Sequence, residues 1–337
     1  MNAFQIFLVI HEISVIVFGQ SSPTTLIDFC EEAQKHFAKQ RTLTAAEWNS
    51  SLPTEVESRE IKELLSCLYK LPTFKNLSSP LSDFPSLQPW INITQVEDYL
   101  IIHEIFPKNG GRFPRNWGLI ALADPITYSR TLHHSAVHFD SEGAIYEEAA
   151  YVAQMTGSRS LTLHGASRYA LDPQVASSCQ STYTMTDGAH NDNTMFHVWS
   201  STLYELSESR GENYVFVQWH GMAESTCGVS EAFASCGTRN VSSYSPDSIP
   251  AKVKTAFNYF AAPLICSTPL ENAICTLVGS DNPLGRLING VKPEDVCKKK
   301  ARDKNVKGRF LHIEQKKKAR IALDAWTRTF SKVFPTV

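Results

Sequence analysis

Histidines and acids crowd into a few short stretches of this chain. The first, HHSAVHFDSE, holds His133, His134, His138, Asp140 and Glu142 within ten residues. Imidazoles beside carboxylates supply the nitrogen and oxygen donors that zinc takes, and a catalytic zinc keeps one position open for water. The spacing is not HExxH, and ordinary loop histidines are the competing reading. The second stretch, LHGASRYALD followed by TDGAHNDN, offers Arg168, Asp187, His190 and Asn191. A guanidinium grips a carboxylate through two parallel hydrogen bonds, so Arg168 is a candidate substrate anchor. Asp187 or Asn191 stands where it could instead cap a following helix. The third, VFVQWHGMAE, runs from Val215 into His220 and Gly221, with Gln218 and Glu224 nearby. Late in the chain GRFLHIEQ carries Glu314, for which an ion pair with Arg309 or Arg320 is the structural alternative.

These stretches follow strand-like runs. NWGLIALA, RSLTLHG, NYVFVQWHG and GRFLHIEQ read as strands, and GAIYEEAAYVAQM and NTMFHVWSSTLYELSE as helices with one apolar stripe. The alternation predicts an α/β fold of three layers, a mixed and mostly parallel sheet with helices on both faces. Ligands bind beyond the carboxyl ends of such strands, which is where His220 would stand. In GRFLHIEQ, alternation puts Phe310, His312 and Glu314 on one face and Leu311 and Ile313 on the other. KKKARIALDAWTRTFSKVF reads as an amphipathic helix. Upstream, TTLIDFCEEAQKHFAKQ and SREIKELLSCLYKL read as helices, and a Pro- and Ser-rich stretch near 71–110 as a boundary. The expected division is a signal peptide over 1–19, a mainly helical N-terminal segment with linker over 20–110, and a catalytic domain over 111–337.

The 337 residues are 42% hydrophobic and 20% charged with a net charge of −2, an ordinary globular composition in which nothing asks for a nucleic acid partner. The apolar N-terminus resembles an export signal, and no other run reaches the ~20 apolar residues of a membrane span. Eight cysteines, none in a CxxC pair, and sequons at Asn49, Asn76, Asn92 and Asn240 fit an oxidising, secreted route. The spacings Cys227–Cys236 and Cys266–Cys275 suit small closed loops, although eight cysteines allow about 105 pairings. Residues 298–320 hold eleven Lys or Arg against two acids, either a solvated basic face or an attraction for acidic partners.

The order of these motifs resembles the zinc-dependent carboxypeptidase-like amidohydrolases, especially the N-formylglutamate amidohydrolase and poly-γ-glutamate hydrolase branches, over about 116–330. The resemblance implies one zinc ion, held by His134 or His138, by Glu142 and by His220. It implies Glu314 as the residue that activates water, and Arg168 and then Arg286 as ligands of the substrate carboxylate. In the family, two residues separate the histidine and glutamate of the first motif; here three residues separate Glu142 from His138 and seven separate it from His134. Asp140 and Asp187 are candidates to orient the histidines.

The expected function is a secreted zinc-dependent amidohydrolase or peptidase cleaving an amide bond next to a carboxylate-bearing group of a small molecule or peptide. The alternative is a secreted, non-catalytic glycoprotein with a basic C-terminal interaction surface. No G-x-S-x-G turn, Arg-His-Gly turn or Gly-rich phosphate loop is present.

Overall fold

The computed structural model describes residues 23–75, 77 and 80–337. The expected leader over 1–19 and the sequon residue Asn76 lie outside the described residues. Of the other sequon asparagines, Asn49 and Asn92 are exposed and Asn240 is half-buried.

Three helices open the described chain: α1 (Leu26–Gln34), α2 (Ala45–Ser51) and α3 (Glu55–Lys70). Each starts at a threonine, Thr25, Thr44 or Thr54, whose hydroxyl accepts a backbone N–H of the first turn. Asp28, Glu47 and Glu57 return the bond to the threonine N–H. This reciprocal cap satisfies two otherwise orphaned donors per helix.

A hairpin follows, β1 (Ile91–Val96) and β2 (Tyr99–Glu104), then β3 (Leu119–Ala123), β4 (Arg130–Ala136), α4 (Ile145–Met155), β5 (Ser158–Leu163), α5 (Met195–Ser209), β6 (Val215–Gly221) and β7 (Ala232–Ser235). The chain ends with α6 (Ile249–Phe260), β8 (Cys266–Ser267), α7 (Pro283–Ile288), β9 (Phe310–Gln315), α8 (Lys317–Arg320) and α9 (Leu323–Val333). The nine strands of the described residues form one mixed sheet in the order β1-β2-β3-β5-β4-β6-β9-β7-β8. Its centre, β5-β4-β6-β9, is parallel. The flanking β1-β2-β3 joins antiparallel, and β7 runs antiparallel to β9.

The sheet therefore begins at Ile91, upstream of the boundary expected near residue 110. The Pro- and Ser-rich surroundings mask a hairpin whose turn, Glu97-Asp98, lacks the usual Asn-Gly signal and holds Glu97 at a φ of 48°. The basic C-terminal run is likewise two helices, α8 and α9, separated at Ile321 and Ala322.

Two apolar layers sandwich the sheet. On one face α1, α4, α6 and α9 bury Phe29, Ile145, Val152, Phe257, Trp326 and Phe330 against Val217, Trp219, Leu311 and Ile313. On the other, α3, α5 and α7 bury Leu64, Trp199, Leu203 and Leu284 against Ile120, Phe216 and Phe310. The crossover β4–α4–β5 thus runs over one face and β5–α5–β6 over the other. From its carboxyl end β4 leads to β5 on one side and β6 leads on towards β7 on the other, so the connections diverge between β4 and β6 and leave the crevice where ligands of such folds bind.

Two disulfides form, Cys179–Cys297 and Cys227–Cys275, while Cys30, Cys67, Cys236 and Cys266 are free. The short loops Cys227–Cys236 and Cys266–Cys275 do not close: Cys236 follows β7 into the interior beside Tyr244, and Cys227 meets Cys275 in the segment after β8 instead. Among the described residues, no helix is long and apolar enough to cross a membrane.

Candidate metal centre

Beyond the end of β4 the chain turns through 137–144 and brings His138 and Glu142 into the crevice. His220, the penultimate residue of β6, faces them. His138 Nδ1 lies 2.6 Å from Glu142 Oε1 and 3.1 Å from His220 Nδ1, and His220 Nδ1 lies 3.4 Å from Glu142 Oε2. All three are buried, and their donor atoms lie close enough together to hold one metal ion.

The outward nitrogens of both rings rest on oxygens. His138 Nε2 is 2.9 Å from Asp187 Oδ1, and His220 Nε2 is 2.9 Å from Gln218 Oε1. An imidazole that gives its outer N–H to an oxygen and holds no second proton leaves its inner lone pair free, as metal-ligating histidines do; at His138 a cation would take the place of that second proton. Two inward Nδ1 atoms and one carboxylate converging on a point therefore fit a divalent cation. They supply three protein ligands and leave room for others, as in an open catalytic site.

Gly221 answers why a buried strand ends in His-Gly. Its N–H donates to Glu142 Oε2 at 2.8 Å. A Cβ there would stand 2.7 Å from Glu142 O and 2.2 Å from Arg320 Nη1, so only glycine admits both neighbours.

In-register pairing of β6 with β9 sets Gln218 beside His312 and His220 beside Glu314. His312 Nε2 is 3.7 Å from Glu314 Oε1, and with His220 the two form a second buried group whose donor atoms approach one another. His312 Nδ1 has no hydrogen-bond partner. Gly279, at a φ of 64°, lets the loop before α7 lie flat on the His312 ring, which a Cβ would approach to 2.9 Å. The resulting cavity of about 180 Å³ is lined by His138, Glu142, Arg168, His220, His312 and Glu314, with Tyr183, His190 and residues 276–282 as its outer wall.

Charge is balanced within the crevice. Burial alone would neutralise His138, but the carboxylates of Glu142 and Asp187 outweigh it and push its pKa up to about 9. Burial works against ionised Glu142 and Asp187 too, yet His138 and its neighbours hold both below the usual carboxylate range. Burial keeps His220 and His312 below the ordinary histidine value. Burial, and then repulsion from Glu142, hold Glu314 well above the ordinary carboxyl value. Arg168 gives one N–H to Asp187 Oδ2 at 2.6 Å and turns Nη1 towards Glu142 at 3.4 Å.

Several sequence candidates stand elsewhere. His134 is a residue of β4 itself, not of the loop. Its ring points into the α4 layer, stacked on Trp219, with Nε2 3.0 Å from Ser158 Oγ and Nδ1 accepting from Trp219 Nε1. Strand alternation sends His133 to the opposite layer, stacked on Phe216. Arg286 lies behind the cavity wall, donating to Ser280 O, Val296 O and Asp281 Oδ1, with no reach into the crevice. Asp140, at a φ of 59°, turns outward and accepts from Gln40 N. Glu224 is exposed and accepts from Lys317 N. Asp187 and Asn191 do not cap α5; Thr194 does. Glu314 pairs with neither Arg309, which bonds Glu208, nor Arg320, which bonds Gln315 O. His312 joins the site without having been singled out by residue type, although the strand alternation shows its shared face with Glu314.

Most of the basic run is solvated: Lys298, Lys299, Lys300, Arg302, Lys304, Lys307, Lys317 and Lys318 are exposed.

No family model and no curated protein matches the chain. Among solved structures, the gene product Atu2144 from Agrobacterium tumefaciens is 13% identical over 60% of this chain and 92% of that one, with a TM-score of 0.32. A mutant of tomato leucine aminopeptidase is 11% identical over 92% of this chain and 58% of that one, with a TM-score of 0.27. At these scores neither likeness carries an argument.

Proposed function

We propose that this chain is an exported zinc-dependent hydrolase that cleaves an amide bond next to a carboxylate-bearing group. The observation that supports it most is the convergence of His138, Glu142 and His220, each ring braced from outside by an oxygen. Zinc bound to these three residues would supply a Lewis acid and lower the pKa of water to ~7. The chain's own residues do the rest. Glu314 faces the same cavity from the neighbouring strand. Positive charge beside it would offset the burial and the Glu142 repulsion that raise its pKa, and so favour its carboxylate form. Its carboxylate then takes a proton from the attacking water and returns it to the leaving nitrogen. Arg168, braced by Asp187, meets the substrate carboxylate at the cavity mouth. The disulfides and sequons support export, and the mature chain is expected to start after Gly19.

Purification without chelator, followed by elemental analysis, is expected to give one zinc per chain. Chelation should abolish hydrolysis of N-acyl-glutamates or glutamyl peptides, and added zinc should restore it. His220→Ala should lose metal and activity while unfolding cooperatively. A chain without bound metal, indifferent to chelator on every substrate, would instead be a non-catalytic binder.

A further inference from the structure

The two ends of the Gln218 amide differ in chemistry but not in shape. Which end faces His220 decides which ring nitrogen carries the proton. The choice is made at the start of α7. Asn282 caps that helix, its Oδ1 accepting the Gly285 N–H at 2.9 Å. With its oxygen so engaged, Asn282 must offer Nδ2 at its other end, and this donor lies 2.5 Å from the Gln218 amide. A donor needs an acceptor, so Gln218 presents Oε1. That same oxygen lies 2.9 Å from His220 Nε2, which must therefore hold the hydrogen. The neutral ring is left with a bare Nδ1 facing His138 and Glu142.

Asn282, Gln218 and His220 are at most 2% exposed, so a donor set against a donor among them would be costly. Turning the Gln218 amide round would set its NH2 group against the Asn282 NH2. In the observed orientation that NH2 has no partner at all, so the acceptor end is held in place despite an unmet donor.

We infer that Asn282 and Gln218 are positioning residues that fix the His220 tautomer and so set the metal affinity of the centre from the N-cap of α7. This rests on the metal-centre reading, but its first readout does not.

Nitrogen-15 NMR of the imidazoles in the metal-free protein should show His220 protonated at Nε2. Asn282→Asp keeps an oxygen for the Gly285 N–H but turns an acceptor towards Gln218. The amide then rotates, donates to His220 Nε2 and drives the ring proton to Nδ1. Zinc affinity, read by competition with a colorimetric chelator, should fall about ten- to hundred-fold. Gln218→Glu keeps the acceptor, and should retain both the tautomer and the affinity within a few-fold. If Asn282→Asp does not fold, Gln218→Met removes the acceptor without touching the cap and should lose the Nε2–H preference and the affinity alike. An Nδ1–H ring in the parent protein overturns the inference, and so does an unchanged tautomer and affinity in both N282D and Q218M. A parent protein with the expected tautomer but no zinc binding leaves the Asn282–Gln218–His220 relay standing, overturns its link to metal affinity and ends the hydrolase reading.

Discussion

Single atoms decide much at this crevice, and Gly221 shows it most directly. Its missing Cβ leaves room for the Glu142 carbonyl and the Arg320 guanidinium. Gly221→Ala should cost about 1–3 kcal/mol of stability, the usual penalty for overpacking, and weaken zinc binding by displacing Glu142. Gly111→Ala, where an added Cβ meets nothing within 4 Å, is the control. Equal urea midpoints for the two variants would contradict this. His133 supports a second test. Burial, helped by Arg159 and His134, pushes its pKa down to about 3, so the ring stays neutral between Ser160 and Ser207. The unfolded chain binds a proton near pH ~6.5 that the folded chain refuses. Stability from this group is therefore full above that pH and drains away as pH falls towards about 3. Relative to His133→Gln, the parent protein should lose about 2 kcal/mol between roughly pH 7 and pH 5. A difference that stays flat across that range would place the proton elsewhere. Residue chemistry is partly legible in the sequence: His138, Glu142, His220 and Glu314 stand out as types. His134 cannot be separated from His138 there, because the choice depends on where β4 ends. Gln218 stands out only as a neighbour of His220 and Asn282 not at all, since an amide becomes informative only when its partners are known.

Elements carry the residues to one another. Apolar runs announce β3, β5, β6 and β9, and apolar stripes announce α4 and α5, because packing on both faces of a sheet leaves that trace. The hairpin β1–β2 leaves none that its Pro-rich neighbourhood does not obscure. The long segment between β5 and α5 has no regular structure, yet it carries Arg168, Asp187 and His190. Its anchors are specific: Thr186 Oγ1 donates to Arg168 O at 2.8 Å, Gln180 Nε2 donates to Asp281 O at 2.6 Å, and Cys179 is bonded to Cys297. A cross-link across 118 residues restricts the unfolded chain strongly. Replacing Cys179 and Cys297 by serine should lower stability by about 2–4 kcal/mol in urea titration. Loosening Asp187 should also raise KM for acidic substrates through Arg168. A lower midpoint with an unchanged KM would mean that the clamp serves stability alone.

At the scale of the whole molecule, the N-terminal helices and the central sheet share one core. Helix α3 lies with α5 over β1, β2 and β3, burying Leu64, Leu68, Ile102, Ile120 and Trp199 in one cluster. Arg115, just before β3, donates to both oxygens of Glu57 at 2.5 and 2.8 Å and lies over the Trp117 ring. Glu57 itself closes the cap of α3, so one carboxylate joins the first turn of a helix to the sheet. Trp117 Nε1 donates to Ser51 O across the same junction. A chain reduced to residues 111–337, the division that composition suggests, would lose all of this. It would bare Ile120 and Leu122, each worth about 1.5–3 kcal/mol when buried, and would strand Arg115 without its partner. It would also open β3 as a bare edge. The truncated protein should therefore aggregate or lack a cooperative thermal transition, whereas the chain from residue 23 should unfold in one step. A 111–337 fragment melting cooperatively near the temperature of the longer chain would show that the parallel centre, with its candidate metal site, stands without the helices in front of it.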